Sequence, residues 1–113
     1  MSASDTTYRW AEVFSALGDP TRLALLATLA GGQPHSIVGL AGDTGLTRQA
    51  VKKHLRVLEQ VGLVASERSG RESRYAYRPQ VLREARDFLA EVSGLWDDAL
   101  DRLRIAVEDG PLA

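Results

Sequence analysis

The chain has 113 residues, 44% apolar and 26% charged, with no cysteine and a net charge of −1. That suffices for one domain with a modest core, and it excludes disulfides, thiolate metal sites and cysteine nucleophiles. No apolar run approaches the roughly 18 residues that cross a bilayer, and the opening MSASDTTYRW lacks the layout of a signal peptide, so a cytoplasmic protein without a membrane partner is expected.

The first helix is expected from Thr6 to Leu17, where Trp10, Val13, Phe14 and Leu17 recur at helical spacing and Gly18 ends the run. Asp19 is an N-cap, and Pro20 stands at the first helical position, where its missing N–H costs nothing. The second helix, Thr21 to Leu29, is apolar on most faces through Leu23, Leu25, Leu26 and Leu29, which marks it as the central core helix. A short third helix starts near Ser36 and holds Ile37, Val38, Leu40 and Ala41. Gly45 supplies the turn residue typical between two crossed helices. Thr47 then caps a helix that runs to Val61, with Gly62 as its stop. Leu63–Arg68 and Ser73–Arg78 read as two strands joined through Ser69-Gly70-Arg71-Glu72. A last helix begins at Pro79 or Gln80 and reaches Val107, with the breakers Gly110-Pro111 beyond it. The order predicts a mainly α winged helix-turn-helix with a small β-hairpin, in one domain over 1–113. Its recognition helix spans about 47–61, its wing about 63–78 and its long terminal helix about 80–107.

The charge is distributed unevenly. Residues 47–78 carry eight basic side chains against three acids, whereas the segments on either side are net acidic, so only the middle suits a phosphate backbone. On a helical wheel for 47–61, Val51, Leu55 and Leu58 fall on one side with His54 at their edge. Gln49, Lys53, Arg56 and Gln60 lie opposite, with Lys52 flanking and Arg48 near the start. Such a face fits a major groove, where lysine or arginine bonds guanine and glutamine bonds adenine. The N-terminal part of a recognition helix reaches the bases, which assigns Arg48, Gln49, Lys52 and Lys53 to base or near-base contacts and Arg56 to phosphate. Thr47 caps the helix and has a hydroxyl able to reach a phosphate. His54 reads as a packing or capping residue.

In the hairpin Arg68, Arg71, Arg74 and Arg78 gather around a tip containing Gly70. Alternation sends Arg74 and Arg78 to one face and Tyr75 and Tyr77 to the other, the tyrosines as core. A wing of this kind lies along a phosphate strand or puts an arginine into the minor groove, and Arg68, Arg71 and Arg74 are its candidate contacts.

The final helix has a heptad seam of Leu82, Ala85, Leu89, Val92, Trp96, Ala99, Leu103 and Ala106, widened by Phe88, Leu95, Leu100 and Val107. About 29 residues of helix extend roughly 43 Å, more than so small a body covers. The surplus stripe is expected to meet its copy in a homodimer, helped by Trp10 and Phe14. The alternative is a break at Ser93-Gly94, giving two shorter helices that fold onto one subunit.

The run Phe14-Ser15-Ala16-Leu17-Gly18-Asp19-Pro20-Thr21-Arg22-Leu23 resembles the opening signature of ArsR/SmtB-type winged-helix repressors. Thr47 to Leu58 followed by Val61-Gly62-Leu63-Val64 is similar to that family's recognition helix and its entry into the wing, and Gly70-Arg71 and Tyr75–Arg78 stand where the wing does. The resemblance spans about residues 10–107 and implies a homodimeric repressor that binds double-stranded DNA at an imperfect inverted repeat. Many members sense metals through cysteines before the turn or through histidines and carboxylates on the last helix. Here Ser36-Ile37-Val38-Gly39-Leu40 offers no thiol, the last helix has no histidine, and His35 and His54 sit on different elements. Soft or borderline metals prefer thiolate and imidazole. Glu84, Asp87, Glu91, Asp97, Asp98 and Asp101 read as a solvated face, so no metal and no cofactor are expected, and a small-molecule effector is unassigned.

The rival is a winged helix that docks on a protein partner, which would be expected to show more exposed apolar anchors beside the recognition helix. An enzyme is not expected, because the chain has no glycine-rich phosphate loop, nucleophile elbow or acid/base pair.

Overall fold

The computed structural model describes residues 3–109; Gly110-Pro111 and the ends of the expected 1–113 domain lie outside them. The elements in order are α1 (Ala3–Leu17), α2 (Pro20–Leu29), β1 (His35–Ser36), α3 (Ile37–Thr44), α4 (Arg48–Gln60), β2 (Val64–Ser69), β3 (Glu72–Tyr77) and α5 (Pro79–Asp109). They form two compact units, one reaching Leu82 and the other beginning at Arg83.

Capping side chains set the helix starts. Asp19, Ser36 and Thr47 each have extended backbone and accept a hydrogen bond from the N–H three residues on, at Arg22, Gly39 and Ala50. The end of α4 is a Schellman motif. Gly62 has φ of +82°, its N–H donates to the Glu59 carbonyl, and the Leu63 N–H donates to the Leu58 carbonyl. Leu58 and Leu63, brought together by that motif, are both fully buried. The chain thus leaves the helix at a defined angle and enters β2.

The core of the first unit is built from the inner faces of four helices and the root of the sheet. Val13 and Ala16 of α1, Leu25 and Leu29 of α2, Leu40 of α3, and Val51, Leu55 and Leu58 of α4 are all 2% exposed or less. Leu23, expected in this core, is instead 51% exposed. In a helix of only ten residues, Leu25, Leu26 and Leu29 already occupy the buried stripe, and Leu23 falls outside it.

The sheet has three strands in the order β1-β3-β2, all antiparallel. The hairpin β2–β3 was legible in the sequence; β1 was not. A two-residue strand has no periodicity to detect, and His35-Ser36 is defined by its pairing with Tyr75 and Arg74. The Ser69–Glu72 pair reduces the hairpin turn to Gly70-Arg71.

In the second unit α5 runs without interruption through Ser93-Gly94 as part of a 31-residue helix, which resolves the two readings of that dipeptide in favour of one helix. A Cβ at Gly94 would meet nothing within 4 Å, so this glycine is not there for close packing among the described residues.

Candidate nucleic-acid interface

The turn from α3 to α4 begins at Gly45, which adopts the left-handed conformation (φ +75°) and donates its N–H to the Ala41 carbonyl. A side chain there would be strained. Thr44 steadies the same turn, its hydroxyl donating to the Leu40 carbonyl at 2.6 Å and accepting from the Leu46 N–H at 3.3 Å. Thr47 then accepts from the Ala50 N–H at 3.1 Å.

From that start α4 sorts its residues sharply. Val51, Leu55 and Leu58 are 0% exposed, while Arg48, Gln49, Lys52, Lys53, Arg56 and Gln60 are all exposed. Five of these, with Arg48 excepted, line one shallow groove of about 280 Å³ together with Val57. Among the described residues none of the four basic side chains of α4 enters an ion pair. The helix therefore presents an uncompensated cationic face mounted on an anchored apolar one.

The wing behaves less uniformly. The register pairs Ser66 with Tyr75 and Glu67 with Arg74, and paired residues share a face of the sheet. Tyr75 is buried and Tyr77 half-buried, as expected, while Arg74 and Arg78 are exposed. Arg74 Nε lies 3.3 Å from Glu72 Oε2, however, and Arg78 Nη2 lies 2.8 Å from Glu67 Oε1. The two remaining wing arginines, Arg68 and Arg71, are exposed and form no ion pair among the described residues. Burial raises the Tyr75 phenol above its ordinary range, reinforced by the Glu59 carboxylate and opposed by Arg56.

Two polar clusters escaped the sequence reading. Arg22 donates through Nε to the Ala16 carbonyl at 2.8 Å and through Nη2 to the Ser15 carbonyl at 3.3 Å, closing the C-terminal end of α1. Its Nη1 lies 3.5 Å from His54 Nδ1, and that same nitrogen is 3.9 Å from Asp19 Oδ2. His54 thus belongs to a tie between α4 and the α1–α2 junction, in line with the packing role expected of it. The second cluster joins Glu59 to Ser66. Neither set of contacts can be read from spacing, because each depends on residues brought together by the fold.

Asp19 gives a pH-dependent test of the first cluster. Its hydrogen bond from the Arg22 N–H, then the Arg22 and His54 charges, hold its carboxyl below the ordinary carboxylate range despite an opposing desolvation. A depressed carboxylate stabilises the fold above its unfolded pKa of about 3.9 and loses that contribution as pH falls through the folded value. Asparagine caps a helix about as well as aspartate, so Asp19→Asn removes the charge alone. The parent is expected to exceed this variant in stability at pH 7, with the gap closing below about pH 4; urea unfolding at pH 7, 5 and 3 measures it. A gap that stays constant would contradict the charge contribution.

The expected dimer residues divide by exposure. Leu89, Trp96 and Leu103 are 51%, 66% and 60% exposed. Phe14, Leu82, Val92 and Ala99 are half-buried. Trp10 and Ala85 are buried within the chain and have little surface left to offer. No group of three or more histidines, aspartates or glutamates among the described residues converges to hold a metal ion.

Comparison with known proteins follows the same outline. A helix-turn-helix domain family matches residues 17–67. The chain is 36% identical over 91 residues to a transcriptional repressor SmtB homologue of Synechocystis, covering 77% of this chain and 68% of that one. It is similar to the structure of an ArsR-like transcriptional regulator from Rhodococcus, with TM-score 0.81 and 36% identity over 88% of this chain and 93% of the other. A homodimeric winged helix-turn-helix DNA-binding domain from Mycobacterium bovis, described as a possible ArsR-family regulator, matches with TM-score 0.67 and 27% identity over 90% and 93% of the two chains.

Proposed function

The chain belongs to the ArsR/SmtB-type family of winged helix-turn-helix transcriptional regulators, and from that premise we propose that it is a homodimeric repressor of an inverted-repeat operator. Each subunit places α4 in a major groove, and the two-fold axis sets half-sites about one helical turn, roughly 34–36 Å, apart. The observation that carries this reading is the uncompensated basic and amide-bearing face of α4, held rigid by side chains with no exposure on the other face.

Within that arrangement Arg48, Gln49, Lys52 and Lys53 read base edges, and Arg56 holds phosphate. Thr47 adds a hydroxyl donor while its oxygen caps the helix. In the wing Arg71 at the tip and Arg68 reach phosphate, and Arg74 does so on leaving Glu72. Dimerisation is supported by the exposed apolar stripe of α5 and by the homodimeric relative from Mycobacterium bovis. Repression follows from occupying the polymerase's site. A protein that acts on chromosomal DNA in a bacterial cell acts in the cytoplasm. The metal-sensing role of some family members is not part of the proposal, since the helix before the turn has no cysteine and α5 has no histidine.

Selection of bound sites from random duplex DNA tests the proposal: an inverted repeat is expected, and its absence would overturn it. On the recovered site, Lys52→Ala or Gln49→Ala is expected to relax base choice, with about 1–3 kcal/mol of discrimination lost at one position. Arg71→Ala is expected to weaken all duplexes alike. Competition binding against single-base variants of the site separates the two behaviours.

A further inference from the structure

Glu59 is the one acid on α4, and it stands in the last turn. A carboxylate is misplaced there on two counts: it opposes the helix dipole, and it lies on an element that approaches phosphate. Its contacts explain its presence. Glu59 Oε2 accepts from the Ser66 hydroxyl at 3.0 Å and from the Ser66 N–H at 3.3 Å. β2 is an edge strand of the sheet, so its outward N–H groups have no ladder acceptor, and Ser66 finds one on the recognition helix.

We infer that Glu59 is a positioning residue for DNA binding: it clamps the wing to the recognition helix so that α4 and the hairpin tip meet the duplex as one rigid reader. This rests on the proposal above that the wing contacts phosphate. The lever arm supplies the physical reason. Ser66 stands four residues before Gly70 at the tip, about 13 Å along an extended strand. A tilt of about 10° at Ser66 then moves the tip by about 2 Å, well beyond the few tenths of an ångström over which a hydrogen bond keeps its geometry. The Gly62 Schellman turn orients the chain where it leaves α4, and the Glu59–Ser66 pair holds it again four residues further on. Arg71 acts on phosphate only if both attachments hold.

A double-mutant cycle on the selected duplex, read by fluorescence anisotropy, tests this. Arg71→Ala is expected to weaken binding about tenfold. Glu59→Ala is expected to weaken it by a similar factor, and the double variant to be no weaker than the worse single one within about twofold. Glu59→Gln keeps an acceptor for Ser66 and is expected to retain affinity within about threefold. A carboxylate that merely repelled phosphate would behave oppositely, since both Glu59→Ala and Glu59→Gln would then tighten binding. Should Glu59→Ala fail to fold, Ser66→Ala removes the hydroxyl half of the clamp from the wing side and is paired with Arg71→Ala in the same way.

Additive effects, tighter binding by the Glu59 variants, or an Arg71→Ala variant that binds like the parent would each overturn the clamp. In those cases the operator reading survives as long as Lys52→Ala still relaxes base choice. A parent protein that binds no duplex would sink the operator reading itself.

Discussion

Replacing Trp96 and Leu103 together by glutamate is expected to yield a folded monomer that has lost at least about 100-fold in operator affinity, because two half-sites held by one dimer gain their avidity from the linkage. The two residues are seven apart on an unbroken helix, and they are 66% and 60% exposed within the protomer. Neither change opens a cavity in the subunit, and glutamate is a good helix former. The cost falls on association. Each large apolar side chain withdrawn from a dimer seam forfeits about 1.5–3 kcal/mol, four are lost per dimer, and facing carboxylates repel across the axis. Leu89, Leu95, Leu100, Ile105 and Val107 are also exposed on this helix, so the stripe is far more apolar than solvent contact explains. Sedimentation gives the oligomeric state, circular dichroism the helix content and anisotropy the affinity. A variant that stays dimeric would remove α5 from the interface, and a monomer with parental affinity would remove the need for symmetry.

The second large effect concerns stability. Leu55→Ala is expected to cost about 3–4 kcal/mol, against a total that for a domain of this size is about 5–15 kcal/mol. Leu55 has no exposed surface and stands at the centre of the inner face of α4, where a cavity cannot be filled by solvent. Leu23→Ala is the control, with less than about 0.5 kcal/mol expected because that side chain is half in water already. Urea unfolding at one fixed protein concentration compares them, the concentration being held because dimerisation stabilises by mass action. Equal losses at the two positions would mean that α2 buries a different face from the one described.

Leu23 also shows where reading the sequence stops. Helices announced by caps and by spacing came out within a few residues of expectation: Asp19 and Thr47, read as caps, act within one turn, as does Ser36, which the sequence marked only as a helix start, and their geometry needs no distant partner. The reading of α4 as an apolar face opposed to a basic one needed only its own period. A short helix with four leucines offers no such decision, since the stripe that is buried depends on which neighbours arrive. β1 was invisible for the same reason, its two residues being strand only because β3 lies beside them. Arg22 was legible as part of a family signature but not as the side chain that closes α1 and meets His54 on α4. Within the wing, alternation sends Arg74 and Arg78 to one exposed face, but it does not show that each meets an acid there. Glu72 and Glu67 are two and eleven residues from their partners, and only the folded hairpin brings the second pair together.

Those two pairings have a thermodynamic consequence. A bare cation that settles on duplex DNA liberates sodium ions condensed along the phosphates, and the entropy of that release drives much of the affinity. An arginine that must first leave its own carboxylate still frees the phosphate's sodium on contact, but it gives up an ion pair to do so. The basic region of each subunit holds eight cationic side chains; Arg74 and Arg78 must each leave a glutamate to act, and the other six need not. The logarithmic dependence of binding on sodium chloride is then no steeper than about −7 per subunit, and no steeper than about −5 if Arg74 and Arg78 keep their glutamates.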